Sequence, residues 1–229
     1  MNTHYTYFLI LLCSLAGPLL LSFDKKVAFY KKWKFLFPSM ILPAVFYIIW
    51  DIWFTETGIW SFNEKYITGI KLYNLPIEEV LFFFIVPYCS VFIYECIHCY
   101  FPNLKQNNLF EKIFQATGIL LFIAAMIFCS RYYTFITFSL NSIVILLFFM
   151  FRRFIAEVNI TTFIISYLIT LIPFLIVNGF LTALPVVEYN DNQNMGFRIY
   201  TIPFEDIFYG MLLIFLNVCG FEYRRNKLR

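Results

Sequence analysis

Charge is scarce in this chain: only 14% of its 229 residues are Asp, Glu, Lys or Arg, where an ordinary soluble domain carries about a quarter. Six cysteines (Cys13, Cys89, Cys96, Cys99, Cys129 and Cys219) are scattered in or beside apolar runs, which is not the framework of a small disulfide-built secreted domain. Cys96, His98 and Cys99 could open a metal site, but the distant second pair of ligands that a four-ligand zinc site needs is missing, so no metal is expected. There is no G-x-G-x-x-G stretch to turn under a dinucleotide. There is no clustered aspartate motif of the kind that holds magnesium against a diphosphate, which disfavours prenyl transfer. The last apolar run, 204–222, has no lysine for a retinal Schiff base.

What remains is hydrocarbon and rings, with 61% hydrophobic and 22% aromatic residues. A helix needs about 20 mostly apolar residues to cross about 30 Å of bilayer core. Seven stretches come close, near residues 5–23, 35–54, 77–99, 114–130, 133–151, 160–181 and 204–222. The expected fold class is therefore all-α, a polytopic membrane protein of seven transmembrane helices. The first stretch has no basic leading region and no small-residue cleavage site, and reads as a retained helix and not a signal peptide.

Short cytoplasmic loops collect Lys and Arg. With the N-terminus outside, thirteen basic residues fall on the inner side (Lys25, Lys26, Lys31, Lys32, Lys34, Lys105, Lys112, Arg152, Arg153, Arg224, Arg225, Lys227 and Arg229) and four outside (Lys65, Lys71, Arg131 and Arg198). A bacterial cell (inner) membrane is the expected setting, with the C-terminus cytoplasmic. The net charge of +3 follows from this topology, and no nucleic-acid partner is expected.

The most informative pattern is a duplication. Residues 51–85 are echoed without a gap 127 positions later by residues 178–212. The register sets Thr55 on Thr182, Asn63 on Asn190, Gly69 on Gly196, Tyr73 on Tyr200, Pro76 on Pro203, Glu78 on Glu205 and Glu79 on Asp206. The same shift carries the first helix onto the fifth, the second onto the sixth and the third onto the seventh. The expected organisation is a three-helix repeat over 1–99, a linker with the fourth helix over 100–131, and a second repeat over 132–229. Three helices are an odd number, so the fourth restores orientation and makes the repeats parallel, related by an axis along the membrane normal. Both long loops, 55–75 and 182–202, then lie on one side and are expected to cap a cavity.

Each copy ends in an acidic motif, "PIEE" and "PFED". Proline suits a helix start and acids suit its first turn, which would make these residues caps. Four carboxyl groups entering a membrane at one level are costly, however, and intramembrane acids are functional candidates by default. Neighbours on a helix lie about 100° apart, so in each pair one acid is expected to act while the other orients it. Trp50, Trp53, Phe82, Phe83, Phe84, Phe208 and Tyr209 flank the acids at helical spacings, and ring faces stabilise cations. An acid in a dry aromatic pocket suits proton-initiated chemistry on an alkene, with the carbocation held by the rings and quenched by proton loss.

The set Asp51, Gly58, Trp60, Phe62, Gly69 and "PIEEVLFFF", followed by "NGFLTALPVVEY", Gly196, Arg198 and "PFEDIFY", with Glu95 and Glu222 near helix ends, resembles the small integral-membrane lycopene cyclases. In that family two homologous three-helix subunits occur separately or fused, and this chain looks like the fused form over nearly its whole length. The resemblance implies an isomerase of the intramolecular-lyase type in carotenoid biosynthesis, closing the ends of lycopene into β-ionone rings through γ-carotene to β-carotene. The reaction is redox-neutral and no cofactor is expected. By position Glu78, Glu79, Glu205 and Asp206 become the catalytic candidates. Asp51, Trp60, Phe62, Phe82, Phe83, Asn178, Tyr189, Arg198 and Tyr209 support or bind the substrate. The expected partners are lycopene, the lipid bilayer and other membrane enzymes of carotenoid synthesis. On this reading Glu78→Gln and Glu205→Gln each abolish or strongly reduce ring formation. Differences between copies, Asp51 against Asn178 and Glu79 against Asp206, point to one asymmetric site.

Two other classes share parts of the pattern. A three-one-three parallel repeat is also the plan of small sugar transporters, but their pores need polar residues in the middle of the membrane, where this chain has Phe, Leu, Ile and Val. A non-catalytic carotenoid-binding membrane protein would share every feature except turnover.

Overall fold

The structure, a computed structural model, describes residues 3–155 and 158–228. Arg229, counted above with the inner basic residues, lies outside them, as does the side chain of Arg153. Seven long helices dominate the described residues: α1 (Thr6–Leu21), α2 (Trp33–Glu56), α3 (Ile77–Tyr100), α4 (Asn108–Ile127), α5 (Tyr132–Ile155), α6 (Ile160–Ala183) and α7 (Glu205–Lys227). Each belongs to a segment long and apolar enough to cross a membrane, and the chain is a membrane protein. In a bilayer every backbone polar group must be satisfied internally, which is why the apolar runs fold as helices.

Two boundaries differ from the hydropathy reading. α4 begins at Asn108 and not near residue 114, because the Asn107 side chain accepts the Leu109 amide at 2.8 Å and caps a first turn that is too polar to register as apolar. α7 runs to Lys227, beyond the apolar run, because its last turn carries Arg225 back among buried carboxylates.

Helices α2, α3, α6 and α7 form the centre: α2 and α6 flank the paired α3 and α7, with α1 against α3 and α5 against α7. α4 has no counterpart in the duplication. It packs on α5 and α6, with Gly118 so close to Ile145 that an added Cβ would lie 2.9 Å from its side chain.

The two long loops fold into three short antiparallel pairs. β1 (Trp60–Phe62) joins β4 (Val187–Tyr189) across the two halves; β2 (Lys71–Leu72) pairs with β3 (Leu75–Pro76), and β5 (Arg198–Ile199) with β6 (Ile202–Pro203). In the first pair Ser61 faces Glu188, its own equivalent 127 positions on, while Trp60 faces Tyr189 and Phe62 faces Val187. Two backbone bonds mirror one another beside it, Asn63 N–H to Val186 O at 3.0 Å and Asn190 N–H to Ile59 O at 2.9 Å. The local twofold of the molecule therefore passes between Ser61 and Glu188. The remaining pairs are two-residue hairpins, which demand a left-handed backbone near the turn. Tyr73 and Tyr200 both supply it, at φ 60° and 59°.

In the first helices the repeat register slips. Tyr7 N–H donates to Tyr66 O at 3.1 Å and Tyr133 N–H to Gln193 O at 2.9 Å. Residues 66 and 193 are equivalents at the 127 offset, so Tyr7 corresponds to Tyr133 at an offset of 126. From this tyrosine to the loop end of the next helix the second half is one residue longer, Tyr133 to Asn178 against Tyr7 to Asp51.

Candidate active site

The sharp turn into each motif helix splits its acid pair. Glu78 and Glu205 are the first of each pair and turn back toward their own loops. Glu78 Oε1 accepts the Thr68 amide at 2.7 Å, and Glu205 Oε1 accepts the equivalent Met195 amide at 2.8 Å as well as the Thr134 hydroxyl. The receiving loops bend just there, at Gly69 and Gly196, whose φ of 83° and 82° lie in the left-handed region that favours glycine. Glu78 and Glu205 are fully buried, and neither borders the chamber between the halves.

Glu79 and Asp206, about 100° further round each helix, do face that chamber. They meet Asp51, from the loop end of α2, and all three are buried. Four phenols surround them. Tyr7 Oη donates to Glu79 Oε2 at 2.5 Å, Tyr209 Oη to Asp51 Oδ1 at 2.5 Å, and Asp206 accepts from Tyr133 at 2.5 Å and from Tyr189 at 2.9 Å. Asp51 and Glu79 line the same chamber. Two buried carboxyl groups side by side without a cation are least costly when one of them keeps its proton. Tyr189 is on β4, outside the spanning helices. Burial, and then the neighbouring Asp206 carboxylate, push its phenol well above the ordinary range, so it stays a donor.

No lysine or arginine forms an ion pair with Asp51, Glu79 or Asp206 among the described residues. Arg198, expected in the site, stands outside it: its guanidinium donates to Thr201 O at 2.6 Å and pairs with the Asp191 carboxylate, 5.9 Å from the ring centre of Tyr189. The Asn194 amide and then Arg198 hold the Asp191 carboxyl below its usual value. Phe83 also stands one layer back, 5.4 Å from Tyr47 and 5.8 Å from Phe82 between ring centres. Trp60, Phe62, Phe82, Asn178, Tyr189 and Tyr209 all line the chamber. Trp60 sits edge-on to Tyr133, Tyr189 and Tyr209 at 5.3, 5.8 and 5.9 Å.

Tyr7, Tyr133 and Tyr47 escape a reading based on the motif repeats. Tyr7 and Tyr133 lie in the first helices, where the register slips, so the 127 shift puts Tyr7 on Thr134 and hides the match. Tyr47 donates to the backbone oxygen of Tyr209 at 2.9 Å and packs its ring 4.8 Å from that of Tyr209, which fixes the phenol that holds Asp51. Two of these three could have been found by testing a one-residue gap between the helices of the repeat. Among the described residues no three His, Cys, Asp or Glu side chains are grouped to hold a metal ion.

Fold and site together define a duplicated seven-helix membrane protein with one buried chamber of acids and phenols on its twofold. A family model described as lycopene cyclase matches residues 4–97 and 130–224. The chain belongs to the lycopene cyclase family. It is similar to a bifunctional lycopene cyclase/phytoene synthase of Pyrenophora tritici-repentis, with 45% identity over 47 residues, 20% of this chain and 8% of that protein. It is also similar to one of Leptosphaeria maculans, with 34% identity over 86 residues, 37% of this chain and 13% of that protein. The matches therefore span only about a tenth of the length of those relatives. No solved structure matches it significantly.

Proposed function

We propose that this chain is a lycopene cyclase, an isomerase of the intramolecular-lyase type that closes the acyclic ends of lycopene into β-ionone rings. The observation that carries the reading is the cluster of Asp51, Glu79 and Asp206, hydrogen-bonded by phenols and ringed by Trp60 and Phe82, with no cation paired to it among the described residues. Family membership supports the same conclusion.

The hydrogen bonds suggest how the roles divide. A proton held on the Asp51–Glu79 pair is the one delivered to the terminal double bond of an end group. The resulting tertiary cation is attacked by the next double bond in the chain, which closes a six-membered ring and moves the positive charge into it. Ring faces of Trp60, Tyr209 and Phe82 stabilise that charge. Asp206, already accepting two phenol hydrogen bonds, is the carboxylate that removes a ring proton and leaves the new double bond. One proton enters and one leaves, so the product is an isomer of the substrate. Returning the proton from Asp206 to the Asp51–Glu79 pair resets the site.

Glu78 and Glu205 act at one remove. By holding the Thr68 and Met195 amides they tie the loops to the helix starts that present Glu79 and Asp206. This departs from the sequence expectation that all four acids are catalytic, and makes the second acid of each pair the chemical one. We also assign the domains as 1–99, 100–131 and 132–229, with the N-terminus outside, the C-terminus cytoplasmic, and the chamber near the outer face of a bacterial cell membrane. The lysines and arginines at the opposite end support that orientation.

The test is expression in a bacterium that accumulates lycopene, with pigments separated by chromatography. Monocyclic and bicyclic carotene are the expected products. Unchanged lycopene beside correctly inserted protein would overturn the assignment.

A further inference from the structure

The chamber at the acids has a volume of about 40 Å³. At about 10–15 Å³ of cavity per water, that is room for a few waters and not for a hydrocarbon end group. A second cavity adjoins it, a cleft of about 630 Å³ between α1, α3 and α6, within the usual range for pockets that take small molecules. Phe174 is the residue shared by the two linings, standing between them. The cleft wall is almost wholly apolar, and its rims are open: Leu9 on α1 is 45% exposed and Phe180 on α6 is 56% exposed, on faces that a bilayer would cover. Along α1 it runs from Thr6 to Pro18, about 18 Å at 1.5 Å per residue.

The duplication shows what opens the cleft. Ser14, Cys89 and Val177 line it; their equivalents in the other half are Leu140, Leu216 and Trp50, all larger. Phe174 corresponds to Tyr47, and the glycine it rests on, Gly210, to Phe83. Tyr47 is locked between rings and bonded to the Tyr209 backbone. Phe174 lies against bare backbone: a Cβ on Gly210 would come 2.7 to 3.3 Å from its ring atoms. The position equivalent to a fixed tyrosine is thus occupied by a ring with no polar anchor.

We propose that the cleft between α1, α3 and α6 holds the chain of a linear polyisoprenoid entering from the lipid, and that Phe174 is the gate its end group passes to reach Asp51, Glu79 and Asp206. The proposal rests on the cyclisation reading above and adds where the substrate lies and by which route it arrives. The occupant follows from the lining: an uncharged, acyclic hydrocarbon of bilayer origin fits an elongated apolar cleft with one acidic end.

Two variants separate the cleft from the gate. Ser14→Leu combined with Cys89→Leu fills the cleft by copying the other half. Phe174→Trp enlarges the gate and leaves the rest of the cleft wall unchanged. With the full chain in liposomes containing lycopene, binding is read from the circular dichroism that an achiral polyene acquires in a chiral site, and conversion from product analysis. The double variant is expected to lose at least tenfold in both signals. Phe174→Trp is expected to keep the binding signal and lose at least tenfold in conversion, a split that mere misfolding would not give. Leu120→Trp, on an exposed face of α4, leaves both unchanged. If Phe174→Trp fails to insert, Gly210→Ala displaces the same ring and is expected to give the same split. A double variant that binds and converts like the parent overturns the cleft; a gate variant that converts at the parent rate, or loses binding and conversion together, overturns the gate. A parent chain that binds lycopene without converting it leaves the cleft standing and removes the cyclisation.

Discussion

Buried carboxylates occur at both ends of the bundle, and the two groups are built on opposite terms. At the loop end Asp51, Glu79 and Asp206 are held by four phenols. At the other end Glu95 and Glu222, themselves equivalents across the twofold, are neutralised: Arg225 donates to Glu95 at 2.7 Å and to Glu222 at 2.6 Å, Lys32 pairs with Glu95, and Tyr94 donates to Glu222 at 2.9 Å. Burying a charge is tolerable only when it is paired or well hydrogen-bonded. The Arg225 group meets that demand with cations and becomes a clasp joining α2, α3 and α7. The loop-end group meets it with weakly acidic phenol donors, which leaves its carboxyl groups open to proton exchange. The contrast supports the proposal that one cluster is structural and the other carries the chemistry.

The largest test of that contrast removes a proton-handling group. Asp206→Asn and Glu79→Gln keep the size and much of the hydrogen bonding of the originals but cannot exchange a proton. Loss of a positioned general acid or base costs typically about 10²- to 10⁴-fold. Cyclic carotene should fall by that factor in each variant, measured at equal amounts of inserted protein. Conversion within about threefold of the parent in both variants would reduce the loop-end acids to a second clasp.

Arg225→Ala probes the other end and should reverse the pattern. It leaves Glu95 with Lys32 alone and Glu222 with only the Tyr94 hydroxyl, and breaking a buried pair by removing one partner costs about 3–5 kcal/mol. Unfolding in detergent should shift by that amount, while conversion per folded molecule stays at the parent level. A loss of turnover without a loss of stability would mean that the Arg225 cluster takes part in the chemistry.

Much of this arrangement was legible in the residues. The seven spans, the duplication and the two acid motifs follow from apolar runs and a gapless repeat, which are one-dimensional signals. The division of labour within each motif was not, because helix geometry says only that Glu78 and Glu79 diverge. Which of them meets the chamber depends on where the loop amides of Thr68 and Met195 arrive, ten residues earlier in each case. Tyr7 and Tyr133 were hidden by a single extra residue between Tyr133 and Asn178. The cleft was hidden because it consists of missing bulk: Ser14, Cys89 and Val177 are unremarkable until set beside Leu140, Leu216 and Trp50.

The phenols sharpen the comparison at intermediate size. Tyr133→Phe and Tyr189→Phe each remove one donor to Asp206, and a hydrogen bond to a charged group is worth about 1.5–3 kcal/mol. If Asp206 must be an ionised base when the ring proton leaves, each change should slow conversion by about tenfold or more. The double variant should approach the Asp206→Asn level, since both removals act on one carboxylate and need not add independently. Conversion unaffected by either change would show that Asp206 does not depend on phenol donors for its charge.

The smallest expected effect belongs to Glu78→Gln and Glu205→Gln. A glutamine can still accept the Thr68 or Met195 amide through its own carbonyl oxygen, so the tie between loop and helix survives. The second oxygen of each acid, Oε2, has no protein partner, so an NH₂ there loses no hydrogen bond but adds a donor that must be satisfied. Conversion should therefore drop only a few-fold in these two variants. Glu78→Ala and Glu205→Ala, which cut the tie, should loosen residues 63–72 and 190–199 to amide hydrogen exchange and lower conversion further. An outcome in which Gln is as damaging as Ala would move the proton chemistry to the first acid of each pair, because only a carboxyl that exchanges a proton is so intolerant of an amide of the same shape.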